Sequence, residues 1–354
     1  MLTHLTFLTR HIRGARPEAH ALVVYAEPTG AGFRHVPAHG WDHEGVACVD
    51  DAARAVVLYC KLWRDHRWPW LRSAITGLLN FVRRLQQDDG AFANFILDWT
   101  GSPNLTSPTS RPGGPWWTAR AMQALAHSLQ AFDSEEVRRA FLLGRPWMHH
   151  YQSIGALAVA IDAEFDYWRV TQDPVAARFC LNAAEEIAGQ RDGRVLADDS
   201  AQPRFWGHHQ ERALIRVALA FDRAPLAEIA VRSAFELFGP AVGAGFAGRE
   251  QTVPYEVSCA AGAFDAVYRV AADERARELA DLARAWFHGR NAASSPVYDS
   301  VRQLAYDGVD GDCVSRNSGA EANLEAAFAL YSVLPWDRLA GGQAAAMGLR
   351  SHGH

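Results

Sequence analysis

The sequence predicts an all-α fold, an (α/α)6 toroid of helix hairpins, and three observations carry that expectation. Six segments that are apolar on most faces fit residues 49–65, 115–132, 153–171, 207–222, 256–271 and 318–333. Five segments with one charged face alternate with them, at 69–87, 134–150, 174–189, 225–238 and 273–288. Successive apolar segments begin roughly 40 to 65 residues apart, the length of one helix hairpin plus a loop.

Six inner and five outer helices leave one outer place open, which a short amphipathic helix near residues 3–13 can fill. From Arg16 to Glu44 the chain is rich in Pro, Gly and His and reads as partly extended. The runs Gln87-Asp88-Asp89-Gly90-Ala91-Phe92, Arg191-Asp192-Gly193-Arg194-Val195 and Tyr306-Asp307-Gly308-Val309 place Asp-Gly between short apolar stretches, the signature of tight turns in small hairpins over one rim. The longest loop, Trp99 to Gly114, can fold over the same rim. Residues 1–339 are expected to form one toroid domain, and 340–354, rich in Gly, Ala, Ser and His, a loose tail. A solenoid would use the same hairpins, but the closer repeat similarity and polar end caps that mark one are missing.

Composition narrows the function. A 49% hydrophobic, 21% charged chain of 354 residues can build a sizeable core. Net charge is −5 with no basic run to follow a phosphate backbone, so nucleic acid is not an expected partner. Lys61 is the only lysine, which argues against phosphate-loop lysines, Schiff-base lysines and polybasic membrane patches together. Cys48, Cys60, Cys180, Cys259 and Cys313 are odd in number and scattered, and read as free thiols of a cytoplasmic protein. No stretch is apolar enough to span a bilayer, so no membrane association is expected.

The chemistry is expected at the starts of the inner helices. Asp50 and Asp51 fall in the first turn of the first one, where the helix dipole favours carboxylates; one of them can serve as a cap paired with Arg54, leaving the other for function. In the last inner helix, Glu321 and Glu325 share a face and Asn323 turns away. Ser318 and Glu321 also have capping-box spacing, the structural alternative for that glutamate. Trp206-Gly207-His208-His209-Gln210-Glu211 opens the fourth inner helix, with His208 and Glu211 three apart and able to hydrogen-bond a polar ligand. Trp116, Trp117, Trp206 and Tyr255 put flat aromatic faces at helix mouths, suited to sugar rings whose C–H faces are apolar and whose rims need Asp, Glu, Asn, Arg or His. No metal set of adequate spacing is present: His39-x-x-x-His43 is interrupted by Gly40, and His208-x-x-Glu211 lacks a third ligand. No cofactor is expected; Gly239 to Gly248 reads as a loop and not a phosphate cradle.

Three segments resemble six-hairpin glycosidase-type domains of bacterial carbohydrate-active proteins: Val49-Asp50-Asp51-Ala52-Ala53-Arg54; Trp286-Phe287-His288-Gly289-Arg290-Asn291 followed by Pro296-Val297-Tyr298-Asp299; and Tyr306-Asp307-Gly308 running into Asn317-Ser318-Gly319-Ala320-Glu321. The Gly-Arg-Asn run is also similar to one near the end of inverting cellulases of this fold. The resemblance spans residues 45–335 and implies a carbohydrate substrate. It implies a hydrolase in which Asp51 and Glu321 act as acid and base, with Asp50 beside them and Arg54, His208, Glu211 and Asn317 binding hydroxyls. Some such domains are joined to sugar-transferase modules; none is present here, which implies a stand-alone protein or a separately encoded glycosyltransferase partner. The same toroid hosts sugar epimerases, where His208 or His209 would shuttle protons, and polysaccharide lyases. A non-catalytic carbohydrate-binding or scaffold protein is favoured if the carboxylates prove to be caps and arginine partners. A terpene-cyclase-like repeat, Gln86, Asp89, Gly90 and Phe92, occurs in one copy only.

Overall fold

The computed structural model describes residues 1–39, 43–150, 153–200 and 204–336. Its helices are α1 (Leu2–Leu8), α2 (Val49–His66), α3 (Pro69–Arg84), α4 (Pro115–Leu129), α5 (Glu135–His149), α6 (Ile154–Thr171), α7 (Pro174–Gly189), α8 (Gln210–Phe221), α9 (Ala224–Gly243), α10 (Pro254–Ala271), α11 (Glu274–Trp286) and α12 (Ala320–Ala329). The even-numbered helices form the inner ring. Each packs on the next, α2 on α4, then α6, α8, α10 and α12, and α12 returns to α2, so the ring closes. Helices α3, α5, α7, α9 and α11 back their preceding inner helices, and α1 backs α12 as the sixth outer helix. The fold is the (α/α)6 toroid.

Small side chains allow the inner helices to approach closely. On α6 the run Ile154-Gly155-Ala156-Leu157-Ala158-Val159-Ala160 is buried throughout, and α4 contributes Ala119, Ala121, Ala124 and Ala126. One cluster of buried apolar side chains extends from Met1 to Trp336.

The two ends of the ring are built differently. At four of the five places where an inner helix hands over to an outer one, the chain turns on a single left-handed residue: Arg67, Gln172, Asp222 and Ala272 have φ of 57°, 57°, 54° and 50°. Each donates its amide to a carbonyl four residues earlier. Proline then opens α3 and α7 and stands in the first turn of α9. Where outer helices return to inner ones, longer segments carry strands at 95–96, 191–196, 251–252 and 298–315, and the other five described strands lie between α1 and α2.

The strands pair antiparallel: β1 (Thr9–His11) with β2 (His20–Leu22), β3 (Tyr25–Thr29) with β4 (Gly32–Val36), β5 (Ala47–Cys48) with β6 (Phe95–Ile96), β7 (Arg191–Asp192) with β8 (Val195–Leu196), and β10 (Tyr298–Asp299) with β11 (Leu304–Ala305). In the one three-stranded sheet β12 (Gly308–Asp310) lies between β13 (Cys313–Ser315) and β9 (Gln251–Thr252).

Two local expectations change. The N-terminal helix ends at Leu8, and Thr9–His11 is a strand because it pairs in register with His20–Leu22. Asp192-Gly193 sits in a hairpin turn as the sequence suggests, but the turn after Asp307-Gly308 falls at Gly311-Asp312, between Asp310 and its partner Cys313. Gly308 instead lies where β12 passes β9, and a Cβ there would collide with the Thr252 carbonyl oxygen. Residues 340–354 lie outside the described residues.

Candidate active site at the mouth of the ring

Inner-helix starts converge on one guanidinium. Arg54, fully enclosed on the second turn of α2, contacts carboxylates from both the first and last inner helices: Asp50 Oδ1 at 3.4 Å and Asp51 Oδ1 at 3.3 Å through Nη1, Glu321 Oε2 at 3.2 Å through Nη2, and Glu325 Oε1 at 3.0 Å from Nε. The guanidinium also lies 4.7 Å from the centroid of the Tyr255 ring. An arginine withdrawn from water needs such partners, because an uncompensated buried charge is strongly destabilising.

Neither aspartate is the cap. Cys48 precedes α2 in extended conformation, and its Sγ accepts from the Asp51 amide at 3.4 Å. The Cys48 thiol in turn donates to Asp51 Oδ2 at 3.2 Å. Nor does Ser318 form a capping box with Glu321: Gly319 is the residue before α12, and the Ser318 hydroxyl donates to the Ala305 carbonyl beside His4. Both carboxylates are therefore committed to the arginine, not to their own helix ends.

Exposure separates the three acids. The Glu321 side chain is 36% exposed, that of Asp50 19% and that of Asp51 4%. Crowding by protein pushes the Glu321 carboxyl up to about 7, with the neighbouring carboxylates adding to the effect and Arg54 opposing it. Asp51 is pushed up to about 6, again by burial first, with Arg54 pulling the other way. Asp50 lies 3.5 Å from Arg120 Nε as well as against Arg54, and its amide donates to Asn94 Oδ1 at 3.3 Å.

Glu321 lines a cavity of about 900 Å³ with Trp206, Arg249, Gln251, Glu256 and Asp310. Its wall is β9 against β12, where Gln251 Nε2 donates to Asp310 Oδ1 at 2.8 Å. Glu256 is occupied: Arg249 donates to it at 2.5 Å, and it accepts the Val253 amide at 3.2 Å, closing the start of α10. Trp206 is exposed to the cavity and packs on Trp116 and Tyr255 at centroid distances of 5.6 and 5.1 Å. Room for Trp116 is made by Gly155 and Gly207, whose Cβ atoms would come within 2.5 and 2.8 Å of its ring.

Beneath Arg54 a second layer fixes the floor. Arg120 donates to Gln123 Oε1 at 3.1 Å, to His209 Nε2 at 3.0 Å and to the Tyr255 hydroxyl. Because Arg120 can only donate, His209 Nε2 must accept, and the imidazole is neutral. Burial and the cations around it hold its pKa well below the ordinary histidine value.

The structure thus gathers Asp50, Asp51, Arg54, Glu321, Tyr255, Trp206 and Trp116 at one mouth. Four expected residues do not join them. Trp117 is buried and donates its indole N–H to the Phe92 carbonyl at 2.7 Å, so it is core. His208 and Glu211 face the outer helix: Nε2 of the former meets Oε1 of the latter at 3.1 Å, and Glu211 also accepts from Ser233 of α9. The two imidazoles precede α8, and there the chain turns His209 inward onto Arg120 and Tyr255 while His208 turns outward to Glu211 and Phe238. Asn317 is exposed, and its carbonyl accepts the Asp307 amide at 2.9 Å.

The sequence reading missed Arg120 and Gln123. The Gly-Arg-Asn run is also structural: Arg290 binds the Val242 and Gly243 carbonyls at the end of α9, and Asn291 bridges the carbonyls of Trp286 and Ser295. Among the described residues one set, His11, Glu18 and His20, places three metal-type ligand atoms within 4.8 Å of one another; it lies on the β1–β2 hairpin, not at the mouth. No helix among the described residues is long and apolar enough to cross a membrane.

Neither a family model nor a curated protein sequence matches this chain. Solved structures do. A sugar epimerase from a ruminal bacterium superposes with a TM-score of 0.69 at 13% identity, over 93% of this chain and 94% of that one. The cellobiose 2-epimerase of Spirochaeta thermophila DSM 6192 gives 0.64 at 12% identity, over 94% of each chain. An inactive variant of the α-1,6-mannanase GH76A of Salegentibacter sp. HEL1_6, in complex with α-1,6-mannotriose, gives 0.59 at 10% identity over 82% of this chain and 90% of that one. In architecture the chain is, like these structures, an (α/α)6 toroid of six helix hairpins.

Proposed function

We propose that the chain is a carbohydrate-processing enzyme, an inverting glycoside hydrolase whose substrate enters the mouth lined by Trp206 and Glu321. The observation that carries this reading is a partly open carboxyl held near 7 beside an aromatic platform, with a second carboxylate, Asp50, on the same guanidinium. A carboxyl of that kind is still half protonated at neutral pH, which suits an acid.

In this reading Glu321 gives its proton to the glycosidic oxygen as the bond to the anomeric carbon breaks. Asp50 takes a proton from the water that attacks the opposite face of the sugar, and the product is a hemiacetal of inverted configuration plus the free alcohol. Asp51, enclosed against Cys48 and Arg54, positions the arginine and does not reach substrate. Contact with one guanidinium keeps the nearest oxygens of Asp50 and Glu321 within roughly 9 Å, compatible with the spacing of inverting pairs. The similarity of the fold to mannanases and sugar epimerases supports a carbohydrate substrate. Five unpaired cysteines support the cytoplasm as its compartment.

A second reading has one observation in its favour. His209 is neutral and hydrogen-bonded to the Tyr255 hydroxyl at 3.0 Å, a pair that could move a proton in an epimerase. Products decide between them. Incubation with α- and β-linked oligosaccharides, followed by mass spectrometry and by NMR of the first-formed anomer, shows chain shortening for a hydrolase and unchanged mass for an epimerase. Retained configuration, or turnover that survives Glu321→Gln, would refute the assignment.

A further inference from the structure

Below Arg120 the inner helices carry a second polar layer along the ring axis. Asp162 of α6 accepts from Gln123 at 3.2 Å, Arg212 at 2.8 Å and Arg216 at 2.6 Å, and Asp166 accepts from His127 at 2.7 Å and from Arg216. These groups line one side of a chamber of about 500 Å³ that opens between the C-terminal halves of the inner helices, at the opposite end from the mouth. Eight Lys and Arg side chains face it against three carboxylates, Asp162, Asp166 and Glu325, in a protein whose net charge is −5.

Pairing does not remove that excess. Arg54 and Arg120 belong to the floor of the mouth, and Arg212 and Arg216 are held by Asp162 and Asp166. Arg64 pairs with Asp65. Among the described residues no carboxylate pairs with Lys61, Arg169 or Arg269, which reach the chamber from α2, α6 and α10. Lys61, the single lysine of the sequence, has its Nζ 4.3 Å from the Tyr331 ring centroid and 5.7 Å from that of Phe328. Burial, with Arg212 and Arg64 adding to it, holds its pKa down to about 8. Cations in the last turn of a helix complement the dipole, which accounts for a solvent-facing arginine. It does not account for a mostly buried ammonium and arginines of two other helices meeting around one space.

We infer that this rear chamber is a second binding site, for a small polyvalent oxyanion such as phosphate or the phosphate group of a phosphorylated sugar, with Lys61 at its base and Arg169 and Arg269 closing over it. The inference is independent of the hydrolase reading, since it rests on the other end of the ring.

Calorimetric titrations with inorganic phosphate, pyrophosphate and a hexose phosphate, at ionic strength fixed with chloride, test it. Saturable one-site binding is expected, weakened about tenfold or more in Arg169→Gln/Arg269→Gln, whose two side chains are exposed and carry no fold-defining contact. Binding of the hexose phosphate alone would identify a sugar ester as the occupant; binding of all three would identify the phosphoryl group itself. Because there is one lysine, reductive methylation with 13C-formaldehyde gives a single lysine resonance, and its titration midpoint should rise when phosphate is added. Absence of saturable binding to all three anions at millimolar concentration, or an affinity unchanged in the double variant, would overturn the inference.

Discussion

The two ends of the inner ring use the same six helices and opposite chemistry. At the mouth, carboxylates outnumber cations around Arg54 and the connections are long enough to carry strands and Trp206; at the rear, cations outnumber carboxylates and the connections are short, four of the five turning on one left-handed residue. The difference shows where a toroid places adaptable sequence. Tight turns fix the hairpins and leave no material for a site, so variation in loops concentrates at the end where helices begin. Chemistry at the rear must come from side chains along the helices themselves.

The largest effect that would break this contrast is on turnover. Replacing Glu321 by Gln, or Asp50 by Asn, keeps shape and removes a proton donor or acceptor, and is expected to lower kcat by about 10²- to 10⁴-fold, the range for loss of general acid–base assistance. Steady-state kinetics on the substrate found in the oligosaccharide screen checks it. Loss in KM alone would mean that these groups bind sugar and do not transfer protons.

Stability gives the next contrast. Arg54→Met leaves four carboxylates without their shared guanidinium, only Asp50 keeping a second one in Arg120, and should cost about 3–5 kcal/mol in urea unfolding. Arg64→Met at the rear removes an exposed pair with Asp65 and should cost no more than about 1 kcal/mol. Equal costs at the two ends would mean that the mouth cluster is not a desolvated unit.

How much of this can be read without coordinates depends on which question is asked. Periodicity places each inner helix start within about three residues, because burial of an apolar face is a strong and local signal. Asp50, Asp51 and Glu321 are legible as first-turn charges in apolar helices, and Arg54 as their partner one turn on. Side-chain direction just before a helix is not legible. His208 and His209 are equal in the sequence, and only packing against Phe238 and the bond to Glu211 decide that the first faces outward. Arg120 is hidden in the run Trp-Trp-Thr-Ala-Arg-Ala-Met. The usable signal is a polar row on one face of an apolar helix: Arg54, Lys61 and Arg64 at i, i+7 and i+10 on α2, or Arg120, Gln123 and His127 at i, i+3 and i+7 on α4, both facing the axis.

A smaller effect sharpens the mouth itself. Trp206→Ala removes the exposed ring while leaving Trp116 supported by Gly155 and Gly207, so folding should persist and sugar affinity should fall about tenfold, roughly 1.4 kcal/mol. Titration of intrinsic fluorescence with the oligosaccharide substrate measures it. Trp117→Ala should behave oppositely, losing about 3–5 kcal/mol of stability through a core cavity, with any surviving fold still binding sugar.

The smallest effect is also the one that ties function to stability. Glu321 and Asp51 have folded-state pKa values raised to about 7 and about 6, above those of exposed carboxyls, so the native state prefers them protonated. Their favourable contribution is complete below the unfolded-state pKa and is lost as pH rises through 6 and then 7. Glu321→Gln makes one of these groups permanently neutral. Its melting temperature relative to the parent should therefore improve between pH 5 and pH 8, by a modest amount because the side chain is partly exposed and water screens it. Turnover of the parent should decline over the same interval, since the acid loses its proton. Coincidence of the two midpoints would attach both to Glu321. A turnover midpoint near 7 with no difference in melting between parent and variant would instead place the titrating acid elsewhere at the mouth.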